Sequence, residues 1–210
     1  MLDVERAKAA VHAIRLLMEE NQDHLIEIDG IIGDGDLGLT MTKAFRAADE
    51  GISGSDEQDV GKLMAKAGMV MAKAAPSTMG SLVATGFMRG GKAVTGRDTD
   101  LGAGNIAEFF RAFSDGIMER GKTKPGNKTI VDVTDPVATA LEKAARDGSD
   151  GSELAKAAVE AAKAGEEAAK GMISQHGKAA VYREQTLGKP DPGATAGSLI
   201  VQGFFSVFEG

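Results

Sequence analysis

The sequence predicts an all-α protein, and three observations carry the prediction. Apolar residues recur at three- and four-residue steps through most of the chain, and no segment sustains the alternation of a strand. Gly, Pro and Asp clusters then punctuate the chain into about eight or nine helical segments, with no internal repeat. One domain spanning residues 1–210 is the simplest organisation, and an apolar content of 42% can fill its core.

Val4, Ala7, Val11, Ile14 and Met18 form the first stripe, with Asp3 as the cap. His12 and His24 lie in this region, where single histidines are ordinary surface or core-edge residues. Helical spacing resumes from Leu39 to Glu50, where Gly51 is expected to stop it. Val60, Leu63, Met64, Ala67 and Met71 make the next stripe, in which Met serves as core filling. Pro76-Ser77-Thr78-Met79-Gly80-Ser81 breaks the pattern before an apolar helix from Leu82 to Ala93. Ser77 and Thr78 are either ordinary caps or part of an anion site at a helix N-terminus. Ile106, Phe109, Phe110, Phe113 and Ile117 form an aromatic core stripe closed by Gly121.

Gly121 to Thr129 is a Gly/Pro-punctuated loop with three lysines, read either as a solvated surface loop or as a phosphate contact. It is not a Walker A loop, because the glycine spacing and the preceding strand are both missing. Asp135-Pro136 marks a helix start with Pro at its first position. An Ala-dominated helix runs from about Ser152 to Met172, with Leu154, Ala157, Ala158, Ala161, Ala168 and Met172 broadly on one side. Gln175 to Ala194 is the longest irregular stretch, and loops of that length in a compact domain are commonly functional. A last apolar helix carries Ala196, Leu199, Ile200, Gly203, Phe204 and Val207; Asp191 either caps it or belongs to a nucleotide-facing turn.

The chemistry concentrates between Ile28 and Met41, where three carboxylates and four glycines fall within ten residues. Gly33 and Gly35 allow positive φ, so Asp29, Asp34 and Asp36 can converge on one hard cation such as Mg²⁺. Carboxylates gathered without a cation would raise one another's pKa. The competing reading makes Asp36 a cap, Asp34 a turn residue and Asp29 a solvated acid. An EF-hand is excluded, because its twelfth position would be Phe45 or Thr40 where a Glu is required. In an up-and-down antiparallel bundle alternate loops share one end. The Asp/Gly loop, Ser77-Thr78, the lysine loop and Asp191-Pro192-Gly193 could therefore meet on one rim.

Net charge of −7 disfavours nucleic acid or an anionic membrane as partner. Cysteine is absent, which removes thiolate chemistry and fits a reducing compartment. The charged segment Met1 to Arg6 is unlike a signal peptide and no apolar run can span a bilayer, so a soluble cytoplasmic protein is expected.

Taken in order, Asp29…Asp34-Gly35-Asp36, Gly121-Lys122…Pro125-Gly126-Asn127-Lys128-Thr129 and Asp191-Pro192-Gly193-Ala194-Thr195 resemble the nucleotide-binding L subunit of dihydroxyacetone kinases. The resemblance covers essentially the whole chain. It implies an all-α barrel of eight antiparallel helices with the active site in the loops at one end. It also implies Mg²⁺ on Asp29, Asp34 and Asp36, and ADP or ATP among Leu37, Gly38, Leu39, Thr40, Thr78, Met79, Gly121, Ile130, Lys178, Asp191, Pro192 and Gly193. The ketose would sit on a separate K subunit, and a phosphohistidine protein of the sugar phosphotransferase system is a further implied partner, with ATP as the other donor. This sequence departs from the family at Leu37, where His is frequent, and at Asn127, where an acid is frequent. Lys178 stands where Arg is usual, keeping the charge without the fork, and Thr78-Met79 replaces a smaller pair. The three aspartates are untouched, and the identity of the ketose stays open, with a four-carbon sugar among the choices. Two alternatives accompany the kinase reading: an ADP-loaded module reporting phosphorylation state to another protein, and a purely structural helical protein.

Overall fold

The computed structural model describes residues 1–97 and 100–208. Nine α-helices are present among them: α1 Val4–Glu20, α2 Gln22–Ile32, α3 Leu37–Ser53, α4 Val60–Ala74, α5 Thr78–Val94, α6 Ala103–Gly121, α7 Val131–Arg146, α8 Gly151–Lys170 and α9 Pro192–Phe205. Two 3-10 segments, Lys178–Thr186 and Ser206–Phe208, complete the order. The only β feature among the described residues is a single bridge between Leu2 and Leu101.

Each helix from α3 to α9 packs on the next, α9 packs on α1, and α1 packs on α3. That succession closes a ring of eight antiparallel helices, the barrel that the motifs imply. The ninth, α2, stands outside the ring against α3 and α9. Consequently α3, α5, α7 and α9 all begin at the same end, and so do the connections that precede them.

Core filling follows the apolar stripes. Those of α1, α4 and α6 are buried as the spacing requires. Phe87 packs edge-on against Phe45 and Phe113 at 5.8 and 5.4 Å, and Phe110 meets Phe204 and Phe205 at 4.9 and 5.2 Å. Such aromatic pairs contribute about 0.5–1.5 kcal/mol each beyond area burial. Between α4 and α5 the backbones nearly touch: a Cβ on Gly91 would lie 2.4 Å from the Gly61 carbonyl oxygen.

Five local expectations are corrected. The span from Ile28 to Met41 is not one loop, since Asp29 sits in the last turns of α2 and Leu37 opens α3, leaving 33–36 as the connection. Gly51 does not stop α3; it is a helical residue against Val70, where a Cβ would meet Val70 at 3.0 Å. Pro136 is not at a helix start but inside α7, which begins at Val131. The start is set upstream because the Asp132 carboxylate accepts the Gly126 and Thr129 N–H groups and the Thr129 hydroxyl accepts that of Val131. The buried face of α8 is Leu154, Ala155, Ala158, Ala162, Gly165 and Ala169, rotated from the expected one, so Ala168 is exposed and Met172 lies past the helix end. The stretch from Gln175 to Ala194 is less irregular than expected, holding the 3-10 segment and the first turn of α9.

Candidate functional site

The rim where α3, α5, α7 and α9 begin encloses a cavity of about 380 Å³, within the range of small-ligand sites. Its floor is acidic. Asp29, Asp34 and Asp36 each offer a carboxylate oxygen, all within 4.8 Å of one another. Asp29 is held by the helix that carries it and by the Leu37 N–H, which donates to Oδ2 at 3.2 Å. Gly35 takes the positive φ of 71° that the turn needs. Gly33 does not adopt positive φ; it is required to be small instead, since a Cβ there would lie 2.2 Å from Asp29 Oδ1. Asp36 occupies the N-cap position of α3, yet its side chain makes no capping hydrogen bond. Its carboxylate therefore remains available to a ligand, against the capping interpretation.

Charge in the cluster is only partly balanced. Burial raises the Asp36 pKa, and the like charges of Asp34 and Asp29 raise it further. Asp34 goes the other way because the Lys178 ammonium hydrogen-bonds it, and Lys178 is raised in return. A cationic group thus already stands on the cluster, the balance that a hard divalent cation would also provide. Oxygen-only donors, one open side and a cation-seeking charge fit Mg²⁺.

Opposite the acids, each wall begins a helix. Ser77 caps α5, its Oγ accepting the Gly80 N–H at 3.0 Å, so the capping interpretation of Ser77 holds while Ser77, Thr78 and Met79 still line the cavity. Asp191 caps α9 by accepting the Ala194 N–H at 2.8 Å. It is buried, and that burial pushes its carboxyl up to about 7 despite the opposing charge of Lys128. First-turn N–H groups and the helix dipoles make this side attractive to an anion.

Of the residues singled out in the sequence, Leu37, Thr78, Met79, Gly121, Ile130, Lys178, Asp191, Pro192 and Gly193 line the cavity together with the three aspartates. Gly38, Leu39 and Thr40 do not. Gly38 is closed against the Gln22 carbonyl, where a Cβ would lie at 2.2 Å, and Leu39 is 57% exposed. The cavity also includes Ile32, Leu82 and His176, to which no role was given from sequence, and Thr123, Lys128 and Thr129 of the basic loop that was read either as solvated or as a phosphate contact. Lys128 is the main surprise. It lies in the basic loop but is only 2% exposed, with its Nζ among backbone carbonyls, and burial lowers its pKa while Asp191 opposes the shift. His176 Nε2 lies 3.1 Å from Asn127 Oδ1. The signal for Lys128 was its presence in the lysine loop; its burial depends on the distant segment that folds over it.

Fold and site together define a class: an all-α barrel with an acidic, anion-attracting cleft built from alternate loops at one end. The model of the DAK2 domain matches residues 31–206. The chain belongs to that family. It is 28% identical over 186 residues to the PEP-dependent dihydroxyacetone kinase ADP-binding subunit DhaL of Escherichia coli, covering 89% of this chain and 88% of that one. The corresponding Listeria innocua subunit is 30% identical over 183 residues, at 87% and 86% coverage. The L-erythrulose 1-kinase of Mycolicibacterium smegmatis is 31% identical over 198 residues, which are 92% of this chain but 34% of that longer one. Among solved structures, the dihydroxyacetone kinase of C. freundii superposes with a TM-score of 0.70 at 21% identity, over 97% of this chain and 34% of that one. A second structure of that kinase, in complex with AMP-PNP and Mg²⁺, gives a TM-score of 0.67 at 20% identity.

Proposed function

We propose that this chain is the Mg-nucleotide-binding subunit of a dihydroxyacetone kinase or a related short-chain ketose kinase, transferring a phosphoryl group to a ketose held by a separate K subunit. The observation that carries the reading is the convergence of Asp29, Asp34 and Asp36 with the starts of four helices around one cavity. Two relatives of nearly the same length named as ADP-binding subunits support it.

In this reading the three aspartates hold Mg²⁺, which when bound supplies charge neutralisation and Lewis acidity at the phosphates. First-turn N–H groups of α3, α5 and α9 orient the phosphate oxygens. Gly38 and Leu39 take part through the α3 backbone, since the first turn of a helix has N–H groups without intrahelical acceptors, whereas the Thr40 N–H already donates to the Asp36 carbonyl at 2.9 Å and is not free for a phosphate. Ile32, Met79, Leu82 and Ile130 give the cavity an apolar wall against which a flat ring can lie. Lys178 supplies a cationic head beside the acids. A nucleophile on this chain is unnecessary, because phosphoryl transfer depends on positioning and electrostatic stabilisation and the acceptor hydroxyl comes with the ketose.

The same proposal gives the chain one domain over 1–210, a cytoplasmic location, and a phosphotransferase-system protein or ATP as phosphoryl source. A PTS-dependent dihydroxyacetone kinase subunit of Lactococcus lactis, 26% identical over 190 residues, supports the first source. Two L-erythrulose kinases among the relatives support a four-carbon ketose as an alternative acceptor. The test is the nucleotide content of the purified protein, released by denaturation and identified by chromatography with and without EDTA. ADP retained until chelation is the expected result for a phosphoprotein-fed subunit, and an empty protein that binds Mg-ATP for an ATP-exchanging one. Failure to bind Mg-ADP or Mg-ATP at millimolar concentration would refute the proposal.

A further inference from the structure

The segment 171–189 leaves the end of α8, crosses the cavity and returns to α9. It carries His176, Gly177, Lys178 and Ala179 into the cavity wall. Little of it is held by core packing: Thr186 is the buried residue of its 3-10 stretch, and Val181 is 77% exposed. Arg183 adds strain with a φ of 47° and ψ of −124°. Polar ties must therefore hold the segment in place.

Those ties gather at its base on one side chain. Lys128 Nζ donates to the carbonyls of Thr186 and Lys189 on the returning leg at 2.7 and 2.8 Å. On the outgoing side it reaches the carbonyls of Met172 and Lys170 at 3.2 and 3.4 Å. Four acceptors surround an ammonium that has three donors and no acceptor, so the group behaves as a fixed cation between the two legs. Among the described residues two further hydrogen bonds join the legs, from the Gly188 N–H to Lys170 O at 2.8 Å and from the Ser174 N–H to Thr186 Oγ1 at 3.0 Å. The outgoing leg is also tied to Asn127, whose carbonyl accepts the Gln175 N–H at 3.1 Å and whose Oδ1 lies 3.1 Å from His176 Nε2. The Lys128 backbone itself is left-handed, with φ 57°, a conformation that costs a non-glycine residue free energy and persists here under the grip of its own side chain.

We propose that Lys128 is a positioning residue, whose ammonium latches the two legs of the 171–189 segment together and so holds Lys178 over the acidic cluster. The nucleotide arm of its test rests on the proposed function; the proteolysis arm does not. Lys128→Gly removes the latch while suiting the left-handed backbone. Trypsin cleavage after Lys178 and Arg183 becomes at least about tenfold faster, as expected when a local opening loses a major restraint. With thermolysin, which has no cation pocket for an alkylammonium and cuts beside exposed apolar residues such as Val181 and Leu187, butylammonium, which replaces the missing side chain, restores protection, whereas butyltrimethylammonium, with equal charge and no N–H, does not. Affinity for fluorescent mant-ADP with Mg²⁺ falls about tenfold with helicity retained, and the fall vanishes in a Lys178→Ala background because the latch acts through Lys178.

Unchanged cleavage in Lys128→Gly, or equal rescue by both amines, overturns the latch. Wild-type protein that binds no mant-ADP would sink the nucleotide reading and leave cleavage to decide the latch alone. Should Lys128→Gly fail to fold, acetic anhydride footprinting of the wild type decides. Lys128 stays unmodified while exposed Lys143 reacts, and equal rates at the two residues overturn the proposal.

Discussion

Asp191 combines a buried charge with a structural cap, and replacing it by Asn separates the two. Asn caps a helix about as well as Asp, so the Ala194 N–H keeps its acceptor while the charge is removed. The carboxyl titrates near 7 instead of 3.8, because burial outweighs both the Ala194 hydrogen bond and the charge of Lys128. A raised carboxylate pKa penalises the folded state. The penalty is absent below the unfolded pKa of 3.8, grows as pH rises and is complete above about 7. At pH 8 it amounts to at most roughly 4 kcal/mol, from 1.36 kcal/mol per pKa unit. For a chain of this size each kcal/mol moves Tm by about 2–4 °C. The Asp191→Asn protein, freed of nucleotide and metal, should therefore melt several degrees above the wild type at pH 8, with the gap closing as pH falls to 4. Thermal unfolding followed by circular dichroism at both pH values reads this directly. A variant that melts at or below the wild-type temperature at pH 8, or a gap independent of pH, would show that Lys128 already compensates the charge.

Three other substitutions follow from the same geometry. Asp34→Ala should abolish Mg²⁺-dependent nucleotide binding, measured by mant-ADP titration, while far-UV circular dichroism stays that of the wild type; undiminished binding would remove the metal reading. Gly33→Ala drives a methyl toward Asp29 Oδ1, so isothermal titration should show Mg²⁺ affinity in the presence of ADP weakened by at least about tenfold, comparable to the loss of a supporting partner at a metal site. Arg111 donates to Glu142 at 2.7 Å and to Asp135 at 2.6 Å, and its hydrogen bond is the main reason Glu142 lies below the usual glutamate range. Because a lowered carboxylate pKa stabilises above the unfolded value of 4.5 and the benefit is lost as pH falls through the folded pKa, Arg111→Met should cost about 1 kcal/mol at pH 7 and less at pH 3, in urea titrations.

Much of this protein is determined locally. The stripes beginning at Val4, Val60 and Ile106 specify helices because a period near 3.6 puts their apolar residues on one face, and those faces are the buried ones. Asp29, Asp34 and Asp36 converge because they lie within eight residues of one another around a glycine turn, so proximity in sequence suffices. The common rim also follows from counting antiparallel helices. What the chain alone could not decide depends on contacts between distant segments. Gly51 remains helical because Val70 packs on it, while Pro136 lies within α7 for a nearer reason, since Asp132 in the first turn of that helix holds the Gly126 and Thr129 N–H groups of the loop before it. Lys128 is the clearest case: a lysine among Gly, Pro and Asn looks solvated until residues 170–189 return to surround its ammonium with carbonyls. Burial of a charge is a property of everything that folds around it, and only the tertiary structure brings those groups together.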